Sequence, residues 1–275
     1  MSKGEEIISI VYMVAGLSSR FGGKVKQFAH VGPNEETLIE ISMNQALKAG
    51  FDKIIFIVGE KTEKLFKEKF GFEYKGIPIA YAMQTFNTLE RDRPWGTCDA
   101  VVSAKDVIVD KFVVCNGDDL YGENTFKLIY NWLSKEGTPV TAGYVLGSVL
   151  PEKGLANRGI LLSGDDGCVA SINEIIGVGK ENLSEFGLTD RSVSSQNIFG
   201  LRKEDVLFLE QNLFDFKEKN KGDRRSECYL PCEVSRLIKD GKLKMKLLKA
   251  PDEWMGVTNP EDEITLRNLL KDKKE

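Results

Sequence analysis

An apolar, largely β-branched run, IISIVYMV (Ile7 to Val14), stops at Ala15-Gly16. The segment that follows carries Gly16, Ser18, Ser19, Gly22 and Gly23 together with Arg20, Lys24 and Lys26. Physically this is a phosphate cradle. A buried strand delivers a loop whose backbone N–H groups converge on an anion, and small residues let the backbone approach closely. The cations then neutralise charge that builds up during reaction at phosphorus. A solvated Gly/Ser turn would account for the glycines but not for three cations directly behind a first strand.

Two common phosphate motifs are excluded. The loop does not spell G-x-x-x-x-G-K-[ST], and Gly16-Leu17-Ser18 breaks G-x-G-x-x-G at its second glycine. AGLSSRFGGKVKQF instead resembles the signature loop of the sugar-phosphate nucleotidylyltransferases, A-G-x-G-[ST]-R followed by a lysine. Ala15, Gly16, Ser19, Arg20 and Lys26 fit, and Ser18 stands where the family has its second glycine. Lys26 is preferred to Lys24 because Lys26-Gln27 resembles the K-Q pair of a bacterial subgroup whose loops read G-G-L-K-Q.

Strand-like and helix-like stretches alternate through the first half. Strands are expected at Ile7 to Val14, Lys53 to Val58, Ile79 to Ala82, Lys111 to Cys115 and Val140 to Val145. Helices are expected at Thr37 to Ala49, with Gly50 as a stop, and at Thr62 to Phe70, Thr97 to Ala104 and Thr125 to Leu133. Continuously apolar strands such as KIIFIV suit a parallel sheet covered on both faces. The expected fold is α/β, a Rossmann-like three-layer αβα sandwich with a mostly parallel mixed sheet and ligands at the carboxyl ends of its strands. Beyond Gly159 a hairpin is expected, Gly159 to Ser163 and Cys168 to Ile176 around Gly164-Asp165-Asp166-Gly167. Val178 to Ser192 reads as a mobile flap beside it, and helices are expected at Lys203 to Lys219 and Leu230 to Lys239. There is no internal repeat and no low-complexity tract beyond KDKKE.

A net charge of −4 with scattered lysines leaves no basic stripe for nucleic acid. No apolar segment approaches transmembrane length and MSKGEEIIS lacks a signal-peptide apolar region, so a cytoplasmic protein is expected, without membrane or nucleic-acid partners. The five cysteines, Cys98, Cys115, Cys168, Cys228 and Cys232, form no C-x-x-C pair and are expected reduced. With one histidine, His30, set among Phe28, Ala29 and Val31, zinc and histidine-based nucleophilic catalysis are poor fits. A structural role for His30 is expected.

FVVCNGDDLYG (Phe112 to Gly122) is the second anchor. An apolar strand ends at Asn116-Gly117, and Asp118-Asp119 project where an α/β sheet places its site. Adjacent carboxylates face opposite ways on an extended chain, so one can bind a metal while the other supports or caps the next helix. Magnesium needs one or two carboxylates beside phosphate and water. Asp-rich turns are also common without any such role. In the stretch Ala82 to Val101, Gln84 offers a donor and an acceptor that suit the imide edge of uracil or thymine. A surface strand end is the alternative there. Gly96 would let the backbone lie against a base, and Thr97 is a good N-cap.

The family resemblance spans Ile10 to Asp262 and implies a single nucleotidylyltransferase domain over 1–275. Its parts are a nucleotide-binding half at about 1–145, an acceptor-binding half at about 146–250 that includes the hairpin and flap, and a C-terminal helix at 251–275. It implies nucleotide binding by Ala15, Gly16, Ser18, Ser19, Gln84, Gly96 and Thr97, with Cys98 in place of the usual alanine. It implies catalysis by Arg20, Lys26 and Asp118, and acceptor binding by Glu174, with Ile175 replacing a lysine, and by Asn197 in VSSQNIFGL. Glu174 and Asn197 have a structural alternative, since such residues at strand ends usually meet solvent. EWMGVTNPEDE resembles the subgroup's W-x-G-V-T-x-x-E-D ending, with Gly256 where the best-known members carry a magnesium-binding aspartate. Asp262 is then the first choice for a metal carboxylate beside Asp118, and the same residues read equally as a helix N-terminus.

The resemblance implies transfer of a nucleoside monophosphate from an NTP, UTP or dTTP preferred, to a sugar 1-phosphate, with Mg²⁺, release of pyrophosphate and formation of an NDP-sugar. A homo-oligomer is compatible with it. Three other readings stay open. They are CMP transfer to phosphocholine or another alcohol phosphate, a non-catalytic nucleotide-binding regulatory subunit, and an unrelated α/β nucleotide-binding module.

Overall fold

Ile8, Ile10 and Tyr12 of the first strand pack to one side of the sheet and Val11 to the other, all of them buried. In the second strand Ile54, Phe56 and Val58 join the first layer while Ile55 and Ile57 join the opposite one. Side chains alternate across a strand, so a continuously apolar run demands helices on both faces. The structure, a computed structural model, describes residues 6–16 and 25–256, and a helix at 260–272 with its side chains from 263 to 270.

The strands are β1 (Ile8–Met13), β2 (Lys53–Val58), β3 (Glu73–Tyr74), β4 (Ile77–Met83), β5 (Lys111–Asn116), β6 (Asp119–Leu120), β7 (Val140–Val145), β8 (Ala156–Ser163), β9 (Val169–Val178), β10 (Val193–Ser194), β11 (Phe199–Arg202), β12 (Lys246–Lys249) and β13 (Met255–Gly256). The main sheet runs β3-β4-β2-β1-β5-β11-β7-β10-β8-β9, with β12 beside β7, and β6 and β13 form a separate ribbon. Strands β4, β2, β1 and β5 are parallel, and β11 returns antiparallel to β5. The helices are α1 (Leu38–Ala49), α2 (Glu63–Phe70), α3 (Thr97–Ser103), α4 (Glu123–Glu136), α5 (Leu146–Val149), α6 (Lys203–Lys219), α7 (Leu230–Lys239) and α8 (Pro260–Asp272). Ile39, Phe66 and Phe126 place α1, α2 and α4 on one face; Val101, Leu209 and Val234 place α3, α6 and α7 on the other. This is the expected αβα sandwich. No described helix is long and apolar enough to cross a membrane.

Local chemistry explains the boundaries. Helix α1 starts at a capping box between Thr37 and Glu40 and stops at Gly50, which is left-handed (φ 110°). Helix α3 is capped by Gly96, one residue before the expected Thr97. Gly96 sits at φ 98°, and a Cβ there would lie 2.7 Å from the Cys228 carbonyl oxygen, so only glycine fits. The C-terminal region is not helical from 251: β13 pairs with β6 first, and α8 begins at Pro260. The segment expected as a mobile flap carries its own structure. Strand β9 runs on to Val178, Asn182 bonds the backbone of Gly177 and Gly179, and Leu183–Phe186 forms a 3₁₀ turn. His30 is structural, its Nδ1 donating to the Glu35 carbonyl at 2.6 Å and its own carbonyl accepting from Arg267. All five cysteines are free thiols.

The chain crosses from β1 outward through β2 to β4, then returns to place β5 on the other side of β1. The carboxyl ends of β1 and β5 therefore form a switch point, where open α/β sheets leave a crevice.

Candidate active site

At that switch point the β1 and β5 ends are tied by the Gly117 N–H donating to the Met13 carbonyl at 3.2 Å. Lys26, in a 3₁₀ turn at Lys26–Phe28, reaches across so that its Nζ lies 2.7 Å from Asp118 Oδ2. The two carboxylates that follow β5 part company, as alternation requires. Asp118 keeps solvent access, while Asp119 is 7% exposed. Asn116 Nδ2 donates to Asp119 Oδ2 at 2.8 Å. Tyr121 Oη, 3.2 Å from the same oxygen, donates to the Gln196 carbonyl at 2.7 Å. Burial, and then the neighbouring Asp118, push the Asp119 carboxyl up to about 7. Asp119 does not cap the next helix. Asp252, from the far end of the chain, accepts from the Thr125 N–H at 2.7 Å in the first turn of α4.

Beside this pair lies a cavity of about 190 Å³ lined by Lys26, Asn116, Asp118, Arg158, Glu174 and Asn197 among others. It exists because one strand splits. Strands β10 and β11 are consecutive in sequence and both pair with β7, but β10 also pairs with β8 and β11 with β5. The intervening Gln196 and Asn197 adopt left-handed backbone (φ 46° and 58°), which turns them out of the ladder into the gap. Glu174 stands opposite Gly159 in the β8–β9 hairpin. Burial raises its carboxyl above the usual range, and Arg158 counters this in part. The Arg158 guanidinium donates to the Asn157 and Val149 carbonyls at 2.9 and 2.6 Å and lies 5.2 Å from the Trp254 ring centroid. Arg158 and Trp254 both line the cavity, and behind its surface Arg158 Nε and Trp254 Nε1 are buried with no partner among the described residues.

The nucleotide-side candidates sit at the ends of the neighbouring strands. Ala15 and Gly16 follow β1, and the Gln84 N–H donates to the Val58 carbonyl just beyond β4. Across four strands spaced about 4.8 Å apart, β4 and β5 ends are roughly 14 Å from one another. The Gln84 amide does not offer the donor and acceptor expected from the sequence. Its Nε2 is committed twice, to the Gly96 carbonyl at 3.0 Å and to Asp99 Oδ2 at 2.9 Å, which leaves only Oε1 to face outward. The Thr97 hydroxyl accepts from the Leu230 N–H at 2.8 Å and so helps start α7. Trp95 is clamped, with the Arg91 guanidinium 3.3 Å from its ring centroid and Phe216 edge-on.

Of the residues expected from sequence, Lys26, Asp118, Glu174 and Asn197 line one cavity. Ala15, Gly16, Gln84, Gly96 and Thr97 belong to the neighbouring strand ends and the loop before α3. Ser18, Ser19, Arg20 and the side chain of Asp262 lie outside the described residues. Asn116, Asn157, Arg158, Gln196 and Trp254 line the same cavity and are not among the residues expected there, while Asp119, expected beside Asp118 as its support or a helix cap, lines it too. Asn116 had a signal, as a polar residue closing an apolar strand. Arg158 had none, because its carboxylate neighbours are distant in sequence. Among the described residues no three or more Asp, Glu, His or Cys side chains converge on a point. The donor set still fits magnesium, which needs only one or two hard carboxylates when phosphate and water complete its shell.

A family model described as nucleotidyl transferase matches residues 22–174, more than half of the chain. The bifunctional protein GlmU of Staphylococcus carnosus is 26% identical over 255 residues, covering 90% of this chain and 49% of that protein. The chain thus spans about half the length of the curated relatives it matches. Among solved structures, the inositol-1-phosphate CTP transferase from T. maritima superposes with a TM-score of 0.67 at 16% identity, covering 99% of this chain and 98% of that one. A UDP-glucose pyrophosphorylase complexed with UDP-glucose gives 0.65 at 16% identity, covering 97% and 99%. At these identities the structural likeness establishes the fold.

Proposed function

Because the chain belongs to the nucleotidyl transferase family, we propose that it moves a nucleoside monophosphate from UTP or dTTP to a sugar 1-phosphate, releasing pyrophosphate and forming an NDP-sugar. One observation carries this reading. The Lys26–Asp118 pair stands at the sheet's switch point, 2.7 Å apart, and opens on a polar cavity on the β5 side.

The acceptor's phosphate oxygen forms the new bond to the α-phosphorus, and the bond to the bridging oxygen of pyrophosphate breaks. The attacking phosphate is already ionised, so no general base is required, in keeping with a lone structural histidine. Lys26 neutralises charge on the phosphates, as Arg20 does by resemblance, and the fixed ends of β1 and β5 hold both reactants in line. Asp118, with Asp119 behind it, would hold Mg²⁺, which supplies further neutralisation of the triphosphate. Glu174, Asn197 and Arg158 meet the acceptor. For the base, Oε1 of Gln84 accepts from the N3–H of uracil or thymine.

A panel of the four common NTPs against several sugar 1-phosphates, read by pyrophosphate release, tests the reading. UTP or dTTP turnover with at least one sugar 1-phosphate supports it. Preference for ATP or GTP overturns the assignment of Gln84, and CTP turnover with alcohol phosphates favours the other chemistry. Nucleotide binding without pyrophosphate release from any pair means a regulatory protein.

A further inference from the structure

Gln84 is wired to a charged residue of another element. Asp99, in the first turn of α3 and 7% exposed, accepts from Gln84 Nε2 through Oδ2 and from Lys217 Nζ through Oδ1 at 2.6 Å. Lys217 comes from the last turn of α6 and lies 5.8 Å from the ring centroid of Trp95, beside the same loop. Both atoms that receive the Gln84 amide, the Gly96 carbonyl oxygen and Asp99 Oδ2, are acceptors and nothing else. Turning the amide over would set its oxygen against both of them and lose both bonds. The two ends of a Gln amide are chemically opposite but sterically alike, so here charge, not shape, decides which end meets a ligand.

We propose that Asp99, held by Lys217, is a positioning residue for base selectivity: it fixes the Gln84 amide with its oxygen outward, so that the site accepts a ring N–H, as in uracil or thymine, and rejects the bare ring nitrogen of cytosine. This rests on the reading that Gln84 meets the base. Asp99 itself touches no substrate. A site built to pair one polar edge discriminates strongly, because the wrong edge leaves buried groups unpaired.

Asp99→Asn separates this role from packing. An Asn that keeps its oxygen on Lys217 turns its NH₂ toward Gln84, which favours the flipped amide and offers cytosine N3 a donor. The readout is the ratio of kcat/KM for UTP to that for CTP with one acceptor, in which a general loss of structure cancels. The ratio is expected to fall about tenfold or more in Asp99→Asn. In a Gln84→Ala background the further Asp99→Asn change should leave it fixed, since the pair acts as a unit. Lys217→Met, at a half-exposed helix end, should lower the ratio in the same direction and serves if Asp99→Asn does not fold. A wild-type preference for UTP that Gln84→Ala abolishes but both Asp99→Asn and Lys217→Met preserve overturns the relay alone. A wild-type ratio that Gln84→Ala leaves unchanged overturns the base reading on which it rests.

Discussion

Asp119 and Gly256 face each other across the ribbon of β6 and β13, so closely that a Cβ at position 256 would lie 2.7 Å from Asp119 Oδ1 and 2.4 Å from the Trp254 ring. The place where the family resemblance leads one to look for a second carboxylate is therefore filled from the opposite strand. Gly256→Ala should force Asp119 or Trp254 to shift and destabilise the protein by about 1–3 kcal/mol, as overpacking does. Denaturant unfolding measures it, and an unchanged midpoint would show that the ribbon yields without cost.

Lys26→Ala should lower the rate by about 10²-fold or more with a smaller effect on NTP affinity, as expected of a charge aimed at the transition state. Lys24→Ala is the control. A silent Lys26→Ala beside a crippled Lys24→Ala would move the role to the other lysine.

How far the sequence disclosed this arrangement depends on the range of the interactions. Runs such as KIIFIV and the helix stop at Gly50 are local signals and appear where the sequence puts them. Asp118 and Lys26 were legible because each follows a strand whose end points to the crevice. The surroundings of Arg158 and Gln84 were not, since each is decided by partners brought in by tertiary structure: Glu174 and Trp254 for the first, the Asp99–Lys217 pair for the second. The same holds for the ends of α3 and α8. Capping by Gly96 answers to the Cys228 backbone pressed against it, and β13 forms because β6 offers it a partner.

Arg91 anchors the loop before α3 by donating to the carbonyls of Arg93, Asp223 and Ser226 at 3.1, 2.7 and 2.5 Å while stacking on Trp95. Arg91→Ala should cost roughly 2–4 kcal/mol from the unpaired carbonyls and lost stacking. Arg91→Lys should rescue little of it, because an ammonium cannot reproduce the planar fork. Thermal unfolding of the three proteins compares them, and a full rescue by lysine would reduce the interaction to its charge.

Glu174 gives the fold a pH signature. Its carboxyl is raised by burial, so the folded state binds this proton more tightly than the unfolded chain does. The contribution favours folding at low pH and is lost as pH rises from the ordinary carboxylate range through the raised value. Glu174→Gln should therefore melt at a higher temperature than the wild type at pH 7, with the gap narrowing toward pH 4. A gap that widens on acidification would reverse the sign.

If the chemistry occurs at Asp118, paired with Lys26, the Asp118→Asn variant loses it. The amide keeps the shape but loses the charge that holds magnesium and Lys26. Pyrophosphate release from UTP or dTTP with a sugar 1-phosphate, at saturating magnesium and with the melting temperature checked in parallel, should fall by about 10²-fold or more while the fold stays intact. A correctly folded Asp118→Asn protein that turns over at close to the wild-type rate would place the chemistry elsewhere in the molecule.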